Sequence, residues 1–341
     1  MIFKVLILVI LVGDTDRRGS SLKERIPTRS IVEGAFLSAI TVILFLASLY
    51  IPLFGILISF LCPLPIIILC LRHNIKVAIL SLVIAFLLIS LLAGPFQAMI
   101  AILGFGTLGI ALGIAIKRRL SLLEILLIGS LVSFVSKLFI MLIGLWLMDV
   151  NPLLLSLDQI DNSINQSLSF YQNIGLSPEQ LDAFKDSILQ SLELIRIAFP
   201  AMLVIASVFD TLINYWVSGK ILRRFGYQME PFVPFYEWRA SRSFFWSYLF
   251  GLFILIINAQ YNLVILQRIG VNIQILFSVI FLITGLSVIS YILHFYKVSP
   301  IVSWVVYIII FIQPVISLVA TWVGIMDVWI DFRKLLFSKK E

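Results

Sequence analysis

The residues best suited to chemistry in this sequence are ionisable or polar side chains inside long apolar stretches. Asp210 is the clearest case, because apolar residues surround it and Asn214 follows one helical turn later. Lys137 lies within a second apolar stretch. A charge inside hydrocarbon is costly, so such side chains pair with one another or serve a ligand. These three residues predict either an ion pair that joins two helices or a binding site for a small polar molecule or ion.

No arrangement typical of an enzyme accompanies them. The two histidines, His73 and His294, are far apart in sequence, and neither belongs to a metal-binding or nucleophile motif. Asp327 and Asp331 share one face of a helix and could hold a metal, but two basic residues follow at once. A salt-bridged helix end is therefore the preferred interpretation of these aspartates. The sequence predicts neither catalytic activity nor a cofactor.

The stretches that carry these residues are long enough to cross a membrane. A hydrocarbon layer of about 30 Å requires about 20 helical residues. The chain has 341 residues and is 61% hydrophobic but only 13% charged, whereas soluble domains average about 25% charged residues. The sequence therefore predicts an all-α, polytopic transmembrane bundle of eight to nine spans. The nine candidates are residues 31–50, 56–71, 77–93, 97–116, 121–147, 195–218, 243–264, 271–296 and 300–326.

Basic residues lie at the ends of these spans and predict the orientation. Lysine and arginine favour the cytoplasmic side of a membrane, so the net charge of +7 reads as a topology signal rather than a nucleic-acid-binding surface. The N-terminus would be cytoplasmic in a multi-pass protein of the cell membrane. The predicted parts are an N-terminal segment (1–29), a six-helix core (30–218) with an outer loop (148–190), a cytoplasmic loop (219–242) and C-terminal helices with a basic tail (243–341).

These boundaries leave two difficulties. Lys137 would lie nearer the outer face and Asp210 nearer the inner face, so the two could pair only if a boundary is misplaced. Nine spans would also put Arg333 and Lys334 outside, against the charge rule. Either one late segment fails to cross or the tail is an exception.

Local signals predict several helix features. Ser177 and Gln180, with Pro178 between them, form a capping-box sequence, and the helix that they open is expected to continue into the sixth span. The outer loop could cover the bundle as a lid or rest on the lipid headgroups. Gly109 and Gly113 have the spacing of closely packed membrane helices. Tight helix contact is the simpler explanation, and a face for another protein's helices is the alternative.

Three segments of the chain resemble the YybS-like family of uncharacterised bacterial membrane proteins. They are EGAFLSAI with the following YIPLFGILISFLCPLPIIILCLRH, the loop LRRFGYQMEPFVPFYEWR, and the closing GIMDVWIDFRKL. Within them, the resemblance rests on Arg224, Gly226, Pro234, Phe235 and Trp238 of the loop, and on Gly324, Asp327, Trp329, Asp331 and Arg333 of the closing segment. The similarity covers nearly everything after residue 29 and implies a multi-pass membrane protein.

The first six spans are also distantly similar to the substrate-binding S components of energy-coupling-factor transporters. That resemblance implies capture of a small molecule or ion from the outer face, and a transmembrane coupling subunit with ATPases as partner. Ala35 and Ala39 match the alanine pair through which S components dock, whereas the long outer loop and the extra C-terminal spans depart from the pattern. We therefore expect a transporter-like subunit with Lys137, Asp210 and Asn214 as ligand-binding candidates.

The alternative is a membrane scaffold or regulator that binds cytoplasmic proteins through the 219–242 loop. Under that hypothesis the partner-binding residues would be Pro234, Phe235, Trp238 and Arg239.

Overall fold

The computed structural model describes residues 27–148 and 177–337, and these residues form helices and connecting turns without a strand. The N-terminal anchor segment and most of the predicted outer loop, including its lid, lie outside the described residues. Within these described residues, eight helical segments are long and apolar enough to cross a membrane, and a bent pair of helices (Pro300–Ile312 and Pro314–Ile330) could count as a ninth. Their exposed side chains are apolar, as at Ile56 (73% exposed) and Leu91 (83% exposed), which is the pattern expected where lipid is the solvent. The predicted all-α membrane bundle is confirmed.

The described helices of the first half are α1 (Thr28–Tyr50), α2 (Gly55–Ser59), α3 (Leu64–Arg72), α4 (Ile75–Ala93), α5 (Pro95–Ile100), α6 (Thr107–Lys117) and α7 (Leu122–Met148). The second half contains α8 (Pro178–Arg224), α9 (Arg242–Tyr261), α10 (Val264–Phe295), α11 (Pro300–Ile312), α12 (Pro314–Ile330) and α13 (Phe332–Phe337). A π-helical segment (Ala101–Gly106) joins α5 to α6, and a short 3-10 turn (Phe235–Glu237) precedes α9.

Helix α8 is the longest element, and its start confirms the predicted cap. The Ser177 amide donates to the Gln180 side chain at 3.0 Å, and the Gln180 amide donates to the Ser177 hydroxyl at 3.3 Å. These reciprocal bonds satisfy amide groups that the first helical turn leaves without partners. The helix then continues through Pro200 to Arg224, so the capped segment does run into the sixth span.

The chain divides into two compact units. Unit 1 contains residues 1–160 and 206–231, and unit 2 contains residues 161–205 and 232–341, so α8 contributes to both. In unit 1, small residues allow close helix contacts. A Cβ at Gly109 would lie 2.9 Å from the Pro63 carbonyl oxygen, and one at Gly113 would lie 2.5 Å from the Cys70 Cβ. The glycine pair therefore makes the tight helix contact that its spacing predicts.

In unit 2, α10 and α12 approach even more closely. A Cβ at Gly285 would lie 1.8 Å from the Ala320 carbonyl oxygen, and one at Gly324 would lie 1.9 Å from the Phe281 carbonyl oxygen. The two backbones are therefore in direct contact at these glycines, which no other residue type permits without separating the helices.

Helices α11 and α12 form a bent pair at the place where the predicted number of spans was in conflict. They meet at Gln313 with a bend of 105°. The chain leaves α10 next to the 232–242 segment, where the Tyr236 ring stacks on His294 with centroids 4.6 Å apart. It returns to the same segment after α12, where Arg239 contacts Asp331 at 3.0 Å. The pair thus begins and ends on one side of unit 2, as a re-entrant hairpin does. The tail therefore begins beside the same segment of unit 2 as the end of α10, and the described residues contain eight candidate spans, or nine if the bent pair counts as one.

Candidate functional site

The predicted candidates in the membrane come together in unit 1. The Lys137 ammonium donates to the Asp210 carboxylate and, at 2.6 Å, to the Ser133 hydroxyl. The Ser133 hydroxyl in turn donates to Asp210 at 3.3 Å. One turn after Asp210 along α8, the Asn214 side-chain amide donates to the Asp210 backbone carbonyl at 2.8 Å. We call Ser133, Lys137, Asp210, Asn214 and Ser218 the polar seam.

The helix that carries Asp210 extends beyond the predicted end of the sixth span. The helix continues to Arg224 rather than ending at residue 218. Asp210 is 14 residues before that end, or about 21 Å at 1.5 Å per residue. Lys137 is 15 residues after the start of α7 at Leu122, or about 22 Å by the same rise. The two residues are therefore at similar distances from the basic ends of their helices.

The polar seam is partly exposed, and some of its buried polar atoms have no hydrogen-bond partner among the described residues. The side chains of Lys137 and Asp210 are 25% and 36% exposed. Asn214 and Ser218 are 2% and 1% exposed, yet the Asn214 Oδ1 and the Ser218 Oγ have no hydrogen-bond partner within the described residues. Buried polar atoms are nearly always bonded to protein, water or a ligand. Asn214 and Ser218 follow Asp210 at four-residue intervals, so the seam extends along one face of α8.

Close packing fixes the helices that carry the seam. A Cβ at Gly129 would lie 2.4 Å from the Thr211 methyl group, so α7 and α8 are in contact next to Asp210 and about two turns before Lys137. On the other side of α7, the Ser136 and Thr107 hydroxyls are 2.8 Å apart. The seam therefore occupies a rigid framework of three helices, which is what orients polar groups for recognition.

The predicted partner-docking residues lie in two places. Ala35 and Ala39 are exposed on α1, beside the exposed Val32, Phe36 and Ile43. Pro234, Phe235 and Arg239 are exposed in unit 2, whereas Trp238 is half-buried. Docking at either place remains a prediction.

In unit 2, the loop and the tail form one cluster, which we call the loop–tail cluster: Trp238, Arg239, Ser287, Asp327, Asp331 and Arg333. Nη2 of the buried Arg333 donates to the Trp238 carbonyl at 2.6 Å and to the Ser287 hydroxyl at 3.0 Å. Ser287 itself donates to the carbonyls of Phe235 and Trp238 at 2.7 and 2.9 Å. The salt-bridged helix end predicted at Asp327 and Asp331 is present.

Burial and neighbouring charges together shift the pKa values of this cluster. Burial lowers the pKa of the Arg333 guanidinium from its usual value, and Asp327, 3.7 Å from Nη2, opposes that change. Burial acts to raise the pKa of Asp331, but Arg239 and Lys334 outweigh it and hold that pKa below its usual range. Arginine keeps its proton in proteins. Arg333 is therefore a buried cation held by one acid and two neutral oxygens.

Sequence reasoning missed a third cluster, at one end of unit 1. Nδ1 of His73 shares a hydrogen bond of 2.9 Å with the Ser30 hydroxyl, and Nε2 of the same ring lies 2.8 Å from the Glu33 carboxylate. The contacts resemble a charge-relay triad, but Ser30 is only 6% exposed, which leaves its hydroxyl covered. Lys117 also donates to the Cys70 and His73 carbonyls at 2.9 and 2.7 Å. These bonds tie the ends of α1, α3 and α6 together.

Sequence reasoning also missed Ser133, Ser218 and Arg333 as site residues. Ser133 precedes Lys137 by four residues, and Ser218 follows Asn214 by four, so helical spacing from the two predicted charges could have found both. Arg333 has no such spacing signal, because a basic residue just after an apolar helix usually marks a solvated helix end. Within the described residues, no group of three or more side chains of the types that ligate metals is assembled.

Comparison with known proteins agrees with this architecture. The chain is 24% identical over 313 residues to the protein of Bacillus subtilis (strain 168) named uncharacterized protein YybS, which covers 90% of this chain and 98% of that protein. No solved structure matches the chain. A family model described as predicted membrane protein (DUF2232) matches residues 39–328. This match extends from the first span to α12, and the chain therefore belongs to the DUF2232 family of membrane proteins.

Proposed function

We propose that this protein is a transporter-like subunit whose polar seam binds a small polar molecule or ion. The observation that carries the proposal is the partial exposure of an ion pair in the middle of two apolar helices. A purely structural pair would be covered by other side chains, because lipid contact with a charge is costly. The exposed quarter of Lys137 and third of Asp210 instead suit contact with water or a polar solute.

The unsatisfied atoms of the seam support the same interpretation. The Asn214 Oδ1 and the Ser218 Oγ are acceptors that a bound solute or ordered water would satisfy. Together with one ammonium and one carboxylate, they provide charges of both signs and neutral acceptors. A small zwitterionic or hydrogen-bonding solute fits such a set better than an apolar one.

The positive-inside rule supports entry of the solute from the outer face. Lys117–Arg119 before α7 and Arg223–Arg224 at the end of α8 are the basic ends of the two helices. With those ends in the cytoplasm, the pair lies about 21 Å from them, in the outer part of a hydrocarbon layer about 30 Å thick. A partner that couples transport to ATP hydrolysis would then dock on the exposed apolar face at Ala35 and Ala39.

The scaffold alternative is less well supported. The carbonyl groups of Phe235 and Trp238 are occupied by Ser287 and Arg333, so the loop backbone is engaged within unit 2. Of the four predicted partner-binding residues, Pro234, Phe235 and Arg239 are exposed, and Arg239 is already paired with Asp331. That hypothesis predicts that Phe235→Ala abolishes function while changes in the polar seam do not.

Binding and stability measured together test the proposal. The purified full chain would be screened by unfolding-midpoint shift against amino acids, water-soluble vitamins, and alkali and divalent cations. Asp210→Asn, Lys137→Met and the double variant probe the seam, and Asp186→Asn on the exposed start of α8 is the matched control. We expect at least one compound to shift the wild type and the control, and to have at least tenfold weaker affinity in both seam variants.

The result that would reject the proposal is equally specific. If every seam variant loses stability and no compound shifts the wild type, the pair only joins α7 to α8. A double variant that regains the stability lost by both single variants would demonstrate that structural role.

A further inference from the structure

We propose that the loop–tail cluster contains a binding site for a phosphate-type anion, distinct from the polar seam and independent of the proposed transport role. A cavity of about 400 Å³ lies beside the cluster in unit 2, lined by Tyr236, Glu237, Arg239, Tyr291, Arg333 and Lys334. Three of the six lining side chains are cationic and one is anionic. The cavity is large enough for a phosphate group with a small substituent.

Arg333 provides the strongest evidence for a ligand. Its side chain is 4% exposed, and Nη2 makes all of its hydrogen bonds. Nε and Nη1 are buried and have no hydrogen-bond partner in the described part of the chain. Leaving donors of a buried cation without acceptors is costly. Nε and Nη1 lie on different edges of the planar guanidinium, and both of its two-donor edges include the occupied Nη2, so each of these two donors can give a single hydrogen bond to an acceptor such as a phosphate oxygen.

The three cations of the lining and the three neighbouring acids balance in formal charge, but two of the acids, Asp327 and Asp331, lie outside the cavity lining. Asp331 is shared by two cations, with its Oδ2 at 3.0 Å from Arg239 and 3.4 Å from Lys334. Asp327 lies 3.7 Å from Arg333 and is buried behind it, outside the cavity lining. Glu237 is the carboxylate in the lining itself. Asp331 thus pairs with two of the three cations in the lining. An anion with several acceptor oxygens could accept hydrogen bonds from all three.

Two sources could supply this chemistry. The cavity lies where α10 and α12 end and α9 begins, at the level expected for lipid headgroups, and basic pockets at that level bind anionic phospholipids. A free phosphate compound from the aqueous phase has the same recognition group. The recognition chemistry is the same in both cases, so the experiment must separate the sources.

The test uses the full chain, delipidated in a neutral detergent. Inorganic phosphate and pyrophosphate are titrated in one arm. In the other, the protein is placed in phosphatidylcholine nanodiscs with or without phosphatidylglycerol, and retained phospholipid is counted by native mass spectrometry. We expect saturable binding in at least one arm. Lys334→Gln, whose side chain is 82% exposed, should weaken it about fivefold, and Arg333→Lys should weaken it at least tenfold because the Nε and Nη1 donors are lost.

Lys76→Gln is the matched control, because it removes one exposed positive charge at another helix end. It should leave binding unchanged. If Arg333→Lys fails to fold, the exposed Lys334→Gln variant still decides the question. Binding in neither arm would overturn the proposal, and so would binding that Lys334→Gln and Lys76→Gln weaken equally.

Discussion

The contact between α10 and α12 yields a prediction whose size can be estimated from the structure. In Gly324→Ala, the new Cβ would lie 1.9 Å from the Phe281 carbonyl oxygen, whereas ordinary contact begins at 3.4 Å. The deficit is about 1.5 Å, and the obstructing atom belongs to the backbone, so no rotamer change can relieve it. The helices must separate by roughly that distance.

Separation of the helices has an energetic and a local consequence. Overpacking typically costs 1–3 kcal/mol, and the rigid obstacle at Gly324 places the expected loss at about 3 kcal/mol. Because α12 leads directly to Arg333, the same displacement should also disturb the bonds from Arg333 to Trp238 and Ser287. We therefore expect lower stability and weaker anion binding in the same variant.

Equilibrium unfolding in mixed detergent micelles, with sodium dodecyl sulfate as denaturant and tryptophan fluorescence as signal, measures the loss. Gly104→Ala is the matched control, because a Cβ there meets nothing closer than Ile140 Cδ1 at 3.8 Å. The control should change stability by less than about 1 kcal/mol. If Gly324→Ala is as stable as Gly104→Ala, the close contact of α10 and α12 is refuted.

Two further predictions concern the cap and the topology. Ser177→Ala should destabilise the first turn of α8 by about 1 kcal/mol, seen as faster amide exchange near Gln180, whereas Ser187→Ala, which removes no cap, should not. Cysteines placed at Glu237 and Lys297 should react with a membrane-impermeant maleimide from one side of the membrane, and a cysteine at Gln260 from the other. Labelling of Gln260 from the same side as Glu237 would contradict the direction of α9 and α10.

The sequence predicted the elements better than their ends. Apolar length found the spans, and the capping box located the start of α8, because both depend on local chemistry. The end of α8 at Arg224 was missed, since Lys220, Arg223 and Arg224 read as a loop after a span that closes at residue 218. The six residues between 218 and 224, about 9 Å along a helix, account for the separation of Lys137 from Asp210 in the predicted arrangement.

The loop–tail cluster could not be predicted for a different reason. Pro314 indicates a break in the last apolar stretch, but a proline does not specify that the chain turns by 105° and returns. Without that return, Arg333 has no route to Trp238, 95 residues earlier. Its burial is a product of tertiary contacts alone, so a charged residue at a helix end was naturally interpreted as solvated.

The two proposed sites depend on different parts of the chain. The loop and closing segments that resemble the YybS-like family meet in unit 2, where Arg333 and Trp238 are in contact. The proposed transport role depends instead on Lys137 and Asp210 in unit 1. A failure of solute binding at the polar seam would therefore leave the argument for an anion at Arg333 intact, because the two rest on separate contacts. Conversely, loss of anion binding in Lys334→Gln with unchanged seam chemistry would show that the two sites act independently.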